Sequence, residues 1–343
     1  TASLGGYGEA LLIGNLALLS GLNWIRRFEA GSGVQSWWFA LLFGGLVGLG
    51  LWANGLSLIY SAPMAIAVLV ALIRKRVKAT YAIRDLLMAV FGFAVGALPW
   101  WLYAFDRGFA SLTAELLGGN VAVETGSWLV RTAQHLLNLV VLGGSAAFGF
   151  RPPWEIRWLA LPLLPFALIF WLGVSFLFIQ QIREPDLKLE RWTLIGVLLA
   201  FAAGFLFTSF GVDPSGRYFL PLAPLLALAA ADYACDGGGQ RAVRWGALAV
   251  IAAFQLWGNL QCALTYPPGF TTQFDQATLV EHRDDEALIR FLRTHGLESG
   301  YSSYWVAYPL AFLSGETLIY PPRLPYHQDL GSPYIPGMVV WSN

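Results

Sequence analysis

The stretch 211–230, "GVDPSGRYFLPLAPLLALAA", joins two incompatible halves. A Gly/Pro/Ser turn carrying Asp213 and Arg217 runs straight into a wholly apolar segment that holds Pro221 and Pro224. Arg217 then marks the border between water and hydrocarbon, with an apolar span over 218–235 behind it. Tyr218 suits the aromatic belt at such a border. Pro221 falls in the first helical turn, where a missing N–H costs little. Pro224, one turn deeper, bends the helix and leaves a carbonyl free or a gap for a chain.

Composition supports this reading. The chain has 343 residues, 57% of them hydrophobic and 12% charged, with a mean hydropathy of +0.57. A soluble domain carries roughly 25% charged residues. Apolar runs of about 18 to 23 residues have the length needed to cross a bilayer. The sequence is that of a multi-pass membrane protein. Its formal net charge is zero, so nothing points to nucleic acid. Cys235 and Cys262 lie near opposite ends of neighbouring runs and are not expected to pair, and no Cys/His cluster has zinc spacing. The opening "TASLGGYGEALLIGN" lacks an initiator Met and a basic region ahead of an apolar core. It is not a signal peptide, and the chain reads as a fragment whose N-terminal part is absent.

Eight runs read as spans: 8–25, 37–52, 56–74, 84–105, 158–180, 192–210, 218–235 and 242–262. The stretch 127–147, "SWLVRTAQHLLNLVVLGGSAA", carries Arg131, Gln134, His135 and Asn138. Polar groups in lipid are costly, so this segment is expected to lie in the interface or to pack re-entrantly on the bundle. With the start of the chain outside, the cytoplasmic loops hold twelve basic residues: Arg26, Arg27, Arg74, Lys75, Arg76, Lys78, Arg84, Arg183, Lys188, Arg191, Arg241 and Arg244. The outer loops before the C-terminal tail hold five, namely Arg107, Arg131, Arg151, Arg157 and Arg217. That asymmetry favours this orientation.

The expected fold is mainly α: a transmembrane bundle of about eight spans over 1–262, with interfacial helices in an outer loop at 106–157. Residues 263–343 change character. "DDEALIRFLRTHGLESG" reads as an amphipathic helix ended by a glycine. "GYSSYWVAYPLAFLSGETLIYPP" reads as strand, short helix and strand, and "GMVVWSN" as a third strand. A small extracytoplasmic α/β unit, cut short, is expected there.

On this topology the outer face gathers Tyr7 and Glu9, Trp52 and Asn54, Asp106 and Arg107, the 106–157 loop, and Asp213 with Arg217. Arg217 can serve as a snorkelling anchor beside an aromatic, or it can grip a phosphate with its rigid fork. Glu9, at the start of a span, either complements the helix dipole or faces an outer cavity as an acid, a base or a metal-orienting carboxylate. His135 is either satisfied by neighbours on a polar helix face or part of a site. Asn54 reads as a turn residue between two spans, with Gly55 closing the first. Motifs for covalent catalysis or nucleotide hydrolysis do not occur.

"GGYGEALLIGNLALL", "GLGLWANGLSLIYSAPMAIAVLVAL", "GRYFLPLAPLLALAAA" and "YWVAYPLAFLSGE", in that order, resemble membrane glycosyltransferases of the GT-C superfamily. The likeness is to bacterial family 39-like enzymes, relatives of protein O-mannosyltransferases and the lipid A aminoarabinose transferase, and covers residues 4 to 320. It implies an inverting transferase at the outer face of the cytoplasmic membrane. The donor would be a polyprenyl-phosphate sugar and the acceptor a lipid, glycan or protein. By resemblance, Arg217 would clamp the carrier phosphate, and Tyr218 with the proline-bent helix would border a lipid groove. Asp213, Tyr7, His135 and Asn54 would lie at the substrate site. Glu9 would face the acceptor or a divalent metal. The family's acidic first outer loop would fall upstream of Thr1, so the general base is expected outside this chain unless Glu9 takes that role. The competing expectations are a transporter or lipid flippase, which would need broken or charged helices at the midplane and an inverted repeat, and a non-catalytic scaffold of glycosyltransferase ancestry.

Overall fold

A computed structural model describes residues 7–29, 36–74, 77–107, 127–153, 156–183, 189–213, 215–235, 241–265, 282–302 and 304–321. Much of the 106–157 loop, Lys75, Arg76, Lys188 and the expected third strand "GMVVWSN" lie outside the described residues. The chain is mainly helical. In order come α1 (Tyr7–Glu29), α2 (Ser36–Ala53), a 3₁₀ turn (Gly55–Ser57), α3 (Leu58–Arg74), α4 (Ala79–Gly96) and α5 (Leu98–Arg107). After them α6 (Trp128–Leu137) continues through a π-helical turn (Asn138–Gly143) into Gly144–Ala147. Then come α7 (Leu164–Ile182), α8 (Leu189–Phe207), 3₁₀ turns at Ser209–Val212 and Arg217–Leu222, α9 (Ala223–Cys235) and α10 (Arg241–Thr265). Two shorter helices close the described chain, α11 (Asp285–Thr294) and α12 (Tyr304–Leu313).

Among the described residues, seven helical segments are long and apolar enough to cross a membrane: Tyr7–Phe28, Ser36–Ala53, Gly55–Arg74, Ala79–Gly96, Leu164–Ile182, Arg217–Cys235 and Arg241–Thr265. The eighth expected span, 192–210, is a shorter apolar helix, Arg191–Phe207. It ends where Thr208 turns extended and closes its hydroxyl onto the Gly204 carbonyl at 2.6 Å. The run 84–105 is two helices rather than one. They break at Ala97, because the Pro99 ring has no N–H for the carbonyl four residues back and crowds it. Pro162 and Pro165 likewise delay the start of α7 to Leu164, after turns in which Ala160 takes φ 42°. Large apolar side chains point outward along α4, among them Leu87 (60% exposed), Val90 (65%) and Phe91 (59%). A soluble chain rarely leaves so continuous an apolar face in water.

The C-terminal segment forms the expected amphipathic helix, α11, which buries Ile289 and Leu292 and ends before Gly296 at φ 66°. The strands do not form among the described residues. A parallel bridge joins Ser299 to Ile319, and the Ser302 N–H donates to the Pro321 carbonyl at 3.4 Å. Pro321 has no N–H to offer between these two contacts, which interrupts the pairing.

Glycines set the packing of the first half. A methyl group at Gly44 would strike the Ala89 carbonyl, one at Gly48 that of Phe93, one at Gly92 that of Leu41 and one at Gly96 that of Gly45. Two reciprocal small-xxx-small pairs thus bring the α2 and α4 backbones into contact, as membrane helices do where apolar attraction between helices is absent. At the α1 and α2 end of this crossing, Asp85 is fully buried. Its Oδ2 accepts from Trp24 Nε1 at 3.2 Å, and its Oδ1 accepts from Arg84 Nη2 at 2.7 Å. Arg84 also donates to Ser36 Oγ at 3.1 Å, so one ion pair staples three helices.

The contacts sort the helix ends into two sets. One end carries this staple, and there Gln181 donates to Asp232 at 3.0 Å. At the opposite end Tyr60 donates to the Pro221 carbonyl at 2.6 Å, Gln255 to the Phe148 carbonyl at 2.8 Å, and Tyr7 meets Tyr218. By helix direction, Arg26, Arg27, Arg74, Lys78, Arg84, Arg183, Arg191, Arg241 and Arg244 all fall at the staple end. Cys235 and Cys262 form no disulfide and sit at opposite ends.

Gly44→Ala and Gly92→Ala are expected to cost about 1–3 kcal/mol each through backbone overlap. Gly45→Ala, whose Cβ would lie 3.8 Å from the nearest atom, should stay within about 0.5 kcal/mol. Thermal unfolding in detergent measures all three, and equal effects at Gly44 and Gly45 would contradict the packing.

Candidate functional site

The α8–α9 junction, residues 206–222, is irregular backbone in apolar surroundings. Its carbonyls need donors, because hydrocarbon supplies none. The 128–147 helix brings two of them. His135 Nδ1 lies 2.9 Å from the Leu206 carbonyl, and Asn138 donates to Gly211 and Val212 at 2.8 and 3.1 Å. Tyr60 from α3 supplies a third at Pro221. Gly211 leaves room for the His135 ring, and Gly216, at φ 82°, turns the chain against Ala146 and Gly143.

The 128–147 helix is therefore inside-out. His135 and Asn138 are buried, whereas Leu129 is 70% exposed and Val130 63%. Trp128 stacks on Phe207 near one end of the helix, and Ala146 abuts Gly216 near the other. Over that whole length the helix stays on the α8–α9 junction instead of running down the bundle. Its π turn loosens the carbonyls near Leu142, and Arg151 covers them: Nε and Nη2 donate to Leu142, the latter at 2.5 Å, and Nη1 donates to Pro152 at 2.7 Å. Burial lowers the Arg151 pKa from its ordinary value.

Arg217 is fixed by its own turn. Asp213 Oδ2 lies 2.6 Å from Arg217 Nε, and the guanidinium stands 5.0 Å above the Tyr218 ring. The Arg217 side chain remains 37% exposed, against 9% for Asp213. Tyr218 is buried and meets Tyr7 edge-on at 6.2 Å and Phe210 at 4.9 Å. Together with Ala10, Leu56, Phe201, Phe205 and Phe219 it forms the apolar cluster that joins α1, α8 and the Arg217–Leu222 turn.

Beside this turn opens a cavity of about 680 Å³. The 128–147 helix walls it with Leu139, Val140 and Gly144, α7 with Leu164 and Leu168, and the junction with Gly216, Phe219 and Leu220. The only side-chain hydroxyl in its lining is Ser145, which donates to the Val141 and Leu142 carbonyls.

Of the residues singled out from the sequence, Tyr7, Asp213, Arg217 and Tyr218 form one connected group. His135 belongs to the same end, as a support for the junction. Asn54 Oδ1 accepts the Leu56 N–H at 3.0 Å and caps the 3₁₀ turn ahead of α3, which is the turn role read from the sequence. Glu9 is exposed in the first turn of α1, two residues from Tyr7. Among the described residues, no group of three His, Cys, Asp or Glu side chains is placed to hold a metal. Tyr60, Asn138 and Arg151 were not read as site-forming from sequence. Their signal was a polar side chain within or beside an apolar run, next to a break in another run.

The fold and the site define a polytopic helical bundle of membrane type with a cation and an apolar cavity side by side at one end. Comparison of the chain with protein-family models, with curated proteins and with solved structures finds no match in any of the three.

Asn138→Leu is expected to destabilise the fold by about 1–3 kcal/mol, since it leaves two buried carbonyls without a donor. Tyr60→Phe, which uncovers one, should cost about 1 kcal/mol. Melting curves check both, and an unchanged melting temperature for Asn138→Leu would remove the proposed reason for a polar face on this helix.

Proposed function

We propose that this protein is a membrane glycosyltransferase that takes its sugar from a polyprenyl-phosphate carrier. The observation that carries the reading is that the turn bearing Arg217, 37% exposed, also lines an apolar cavity of about 680 Å³ through Gly216, Phe219 and Leu220. A ligand with a phosphate head and an isoprenoid tail matches both halves at once. The cavity volume lies within the range of roughly 300–1,000 Å³ usual for small-ligand sites. The resemblance of "GRYFLPLAPLLALAAA" to GT-C enzymes supports the same ligand.

In the reaction, the acceptor oxygen attacks the sugar's anomeric carbon as Glu9 takes its proton, and the bond to the carrier phosphate breaks. Negative charge then grows on the leaving phosphate oxygens. Arg217 stabilises that charge with a pre-placed donor, which is where electrostatic catalysis gains most. Tyr7 and Tyr218 form the wall next to the head group, and Glu9 is the exposed carboxylate at this end that can face the acceptor. The acceptor is a lipid, glycan or protein. The basic clustering at the staple end supports placing that end in the cytoplasm and the Arg217 end outside. A transporter reading is less well supported, because the polar side chains gather at one end and serve irregular backbone there.

Two measurements test this. With Cys235 and Cys262 replaced, a single cysteine at Glu9 should label from outside intact cells while one at Lys78 should not; the reverse pattern overturns the orientation. In transfer from a polyprenyl-phosphate sugar, Arg217→Ala should remove roughly 2–4 kcal/mol of transition-state stabilisation. Arg217→Lys, which keeps the charge and loses the fork, should fall between Ala and wild type. Wild-type turnover in Arg217→Ala would refute the clamp.

A further inference from the structure

Asp213 is the one carboxylate in contact with Arg217 among the described ion pairs, and it is turned inward. Its Oδ1 accepts the Ser215 N–H at 2.7 Å, and its Oδ2 lies 2.6 Å from Arg217 Nε. Ser215 Oγ in turn accepts the Arg217 N–H at 3.3 Å, and Gly216 supplies the left-handed φ of 82° that closes the loop. Only 9% of the Asp213 side chain is exposed. A carboxylate with both oxygens occupied in this way is not placed to take a proton from an acceptor or to hold a metal.

We propose that Asp213 is the positioning residue for anion recognition at Arg217. It pairs with the guanidinium at Nε and holds it over the Tyr218 ring, in the turn whose Gly216 lines the cavity. The inference rests on the proposed phosphate-clamp reading of Arg217, and it makes a prediction of opposite sign to simple electrostatics. A negative charge next to an anion site opposes the anion, so by Coulomb's law alone its removal should tighten binding. A long side chain released from its anchor must instead be ordered by the ligand, which weakens binding. The positioning effect is the larger here, because the pair is local to one turn and the turn is itself held by Asn138 and Tyr60.

The experiment is calorimetric titration of farnesyl monophosphate into the full-length protein in detergent, with farnesol and inorganic phosphate separating tail from head. Arg217→Ala should weaken farnesyl phosphate binding about tenfold or more. Asp213→Asn keeps the oxygen that accepts the Ser215 N–H and loses the charge. It should weaken binding about fivefold with little change in melting temperature, and have no further effect in the Arg217→Ala background. Tighter or unchanged binding in Asp213→Asn overturns the positioning role while the Arg217 result keeps the clamp. Unchanged binding in Arg217→Ala overturns both. Asp213→Glu is the second variant: it retains the charge but shifts the guanidinium by about one carbon–carbon bond. Loss of affinity there supports positioning, and wild-type affinity contradicts it.

Discussion

A break in a helix at the edge of a hydrocarbon phase exposes carbonyls that neither water nor lipid will satisfy. The junction between α8 and α9 is such a break, and much of the surrounding structure answers to it. Leu206, Gly211, Val212 and Pro221 carbonyls are met by His135, Asn138 and Tyr60 from two other helices. The same solution recurs in the 148–160 stretch, where Gln255 donates to Phe148 and Gln261 accepts from Ala160. At this end of the bundle, polar side chains on helices thus serve the irregular backbone beside them. Because each of these bonds crosses between elements, the junction is held in one shape, and Arg217 inherits that shape.

Rigidity at the junction is what gives the neighbouring cavity its chemistry. The cavity walls are apolar and offer shape without charge. Arg217 offers charge, and its direction is set by Asp213 and the Tyr218 face. On the proposed reading, an amphiphile with one anionic end would engage both together, whereas a wholly polar or wholly apolar ligand would use half of the site. At the opposite end of the bundle a different ionic group, Arg84 with Asp85, does structural work of another kind. It ties α1, α2 and α4 where their glycine-lined backbones meet.

Much of the helical architecture was legible in the sequence, because hydropathy over 18 to 20 residues is a strong signal. In the Arg217–Cys235 segment the turn residues and the aromatic were legible, but the prolines were not: Pro221 lies inside a 3₁₀ turn and Pro224 in the first turn of α9, so the bend expected at Pro224 is replaced by a change of helix type at Leu222. The helix break at Ala97 was missed because Pro99 sits inside an unbroken apolar run, and periodicity alone does not register a proline. The α2–α4 contact was missed because glycine spacing such as Gly44/Gly48 and Gly92/Gly96 gains meaning only once two helices are known to be neighbours. His135 and Asn138 were visible as polar residues out of place, but their partners are carbonyls, which every residue carries and no sequence pattern marks. Asp85 was hidden next to Arg84 in a run of charge assigned to a loop. In the C-terminal segment, β-propensity at 299–302 and 318–321 gave isolated bridge pairing and no strand among the described residues, because Pro321 has no N–H to donate.

The central claim is that one ligand spans the Arg217 turn and the adjoining cavity. Electron cryo-microscopy of the full-length protein with bound farnesyl monophosphate tests it most directly. The account predicts the phosphate within hydrogen-bonding distance of the Arg217 guanidinium, about 3 Å, with the isoprenoid between Leu139, Leu168 and Leu220. Phosphate density at the Arg84–Asp85 end, or an isoprenoid lying elsewhere while this cavity stays empty, would contradict it.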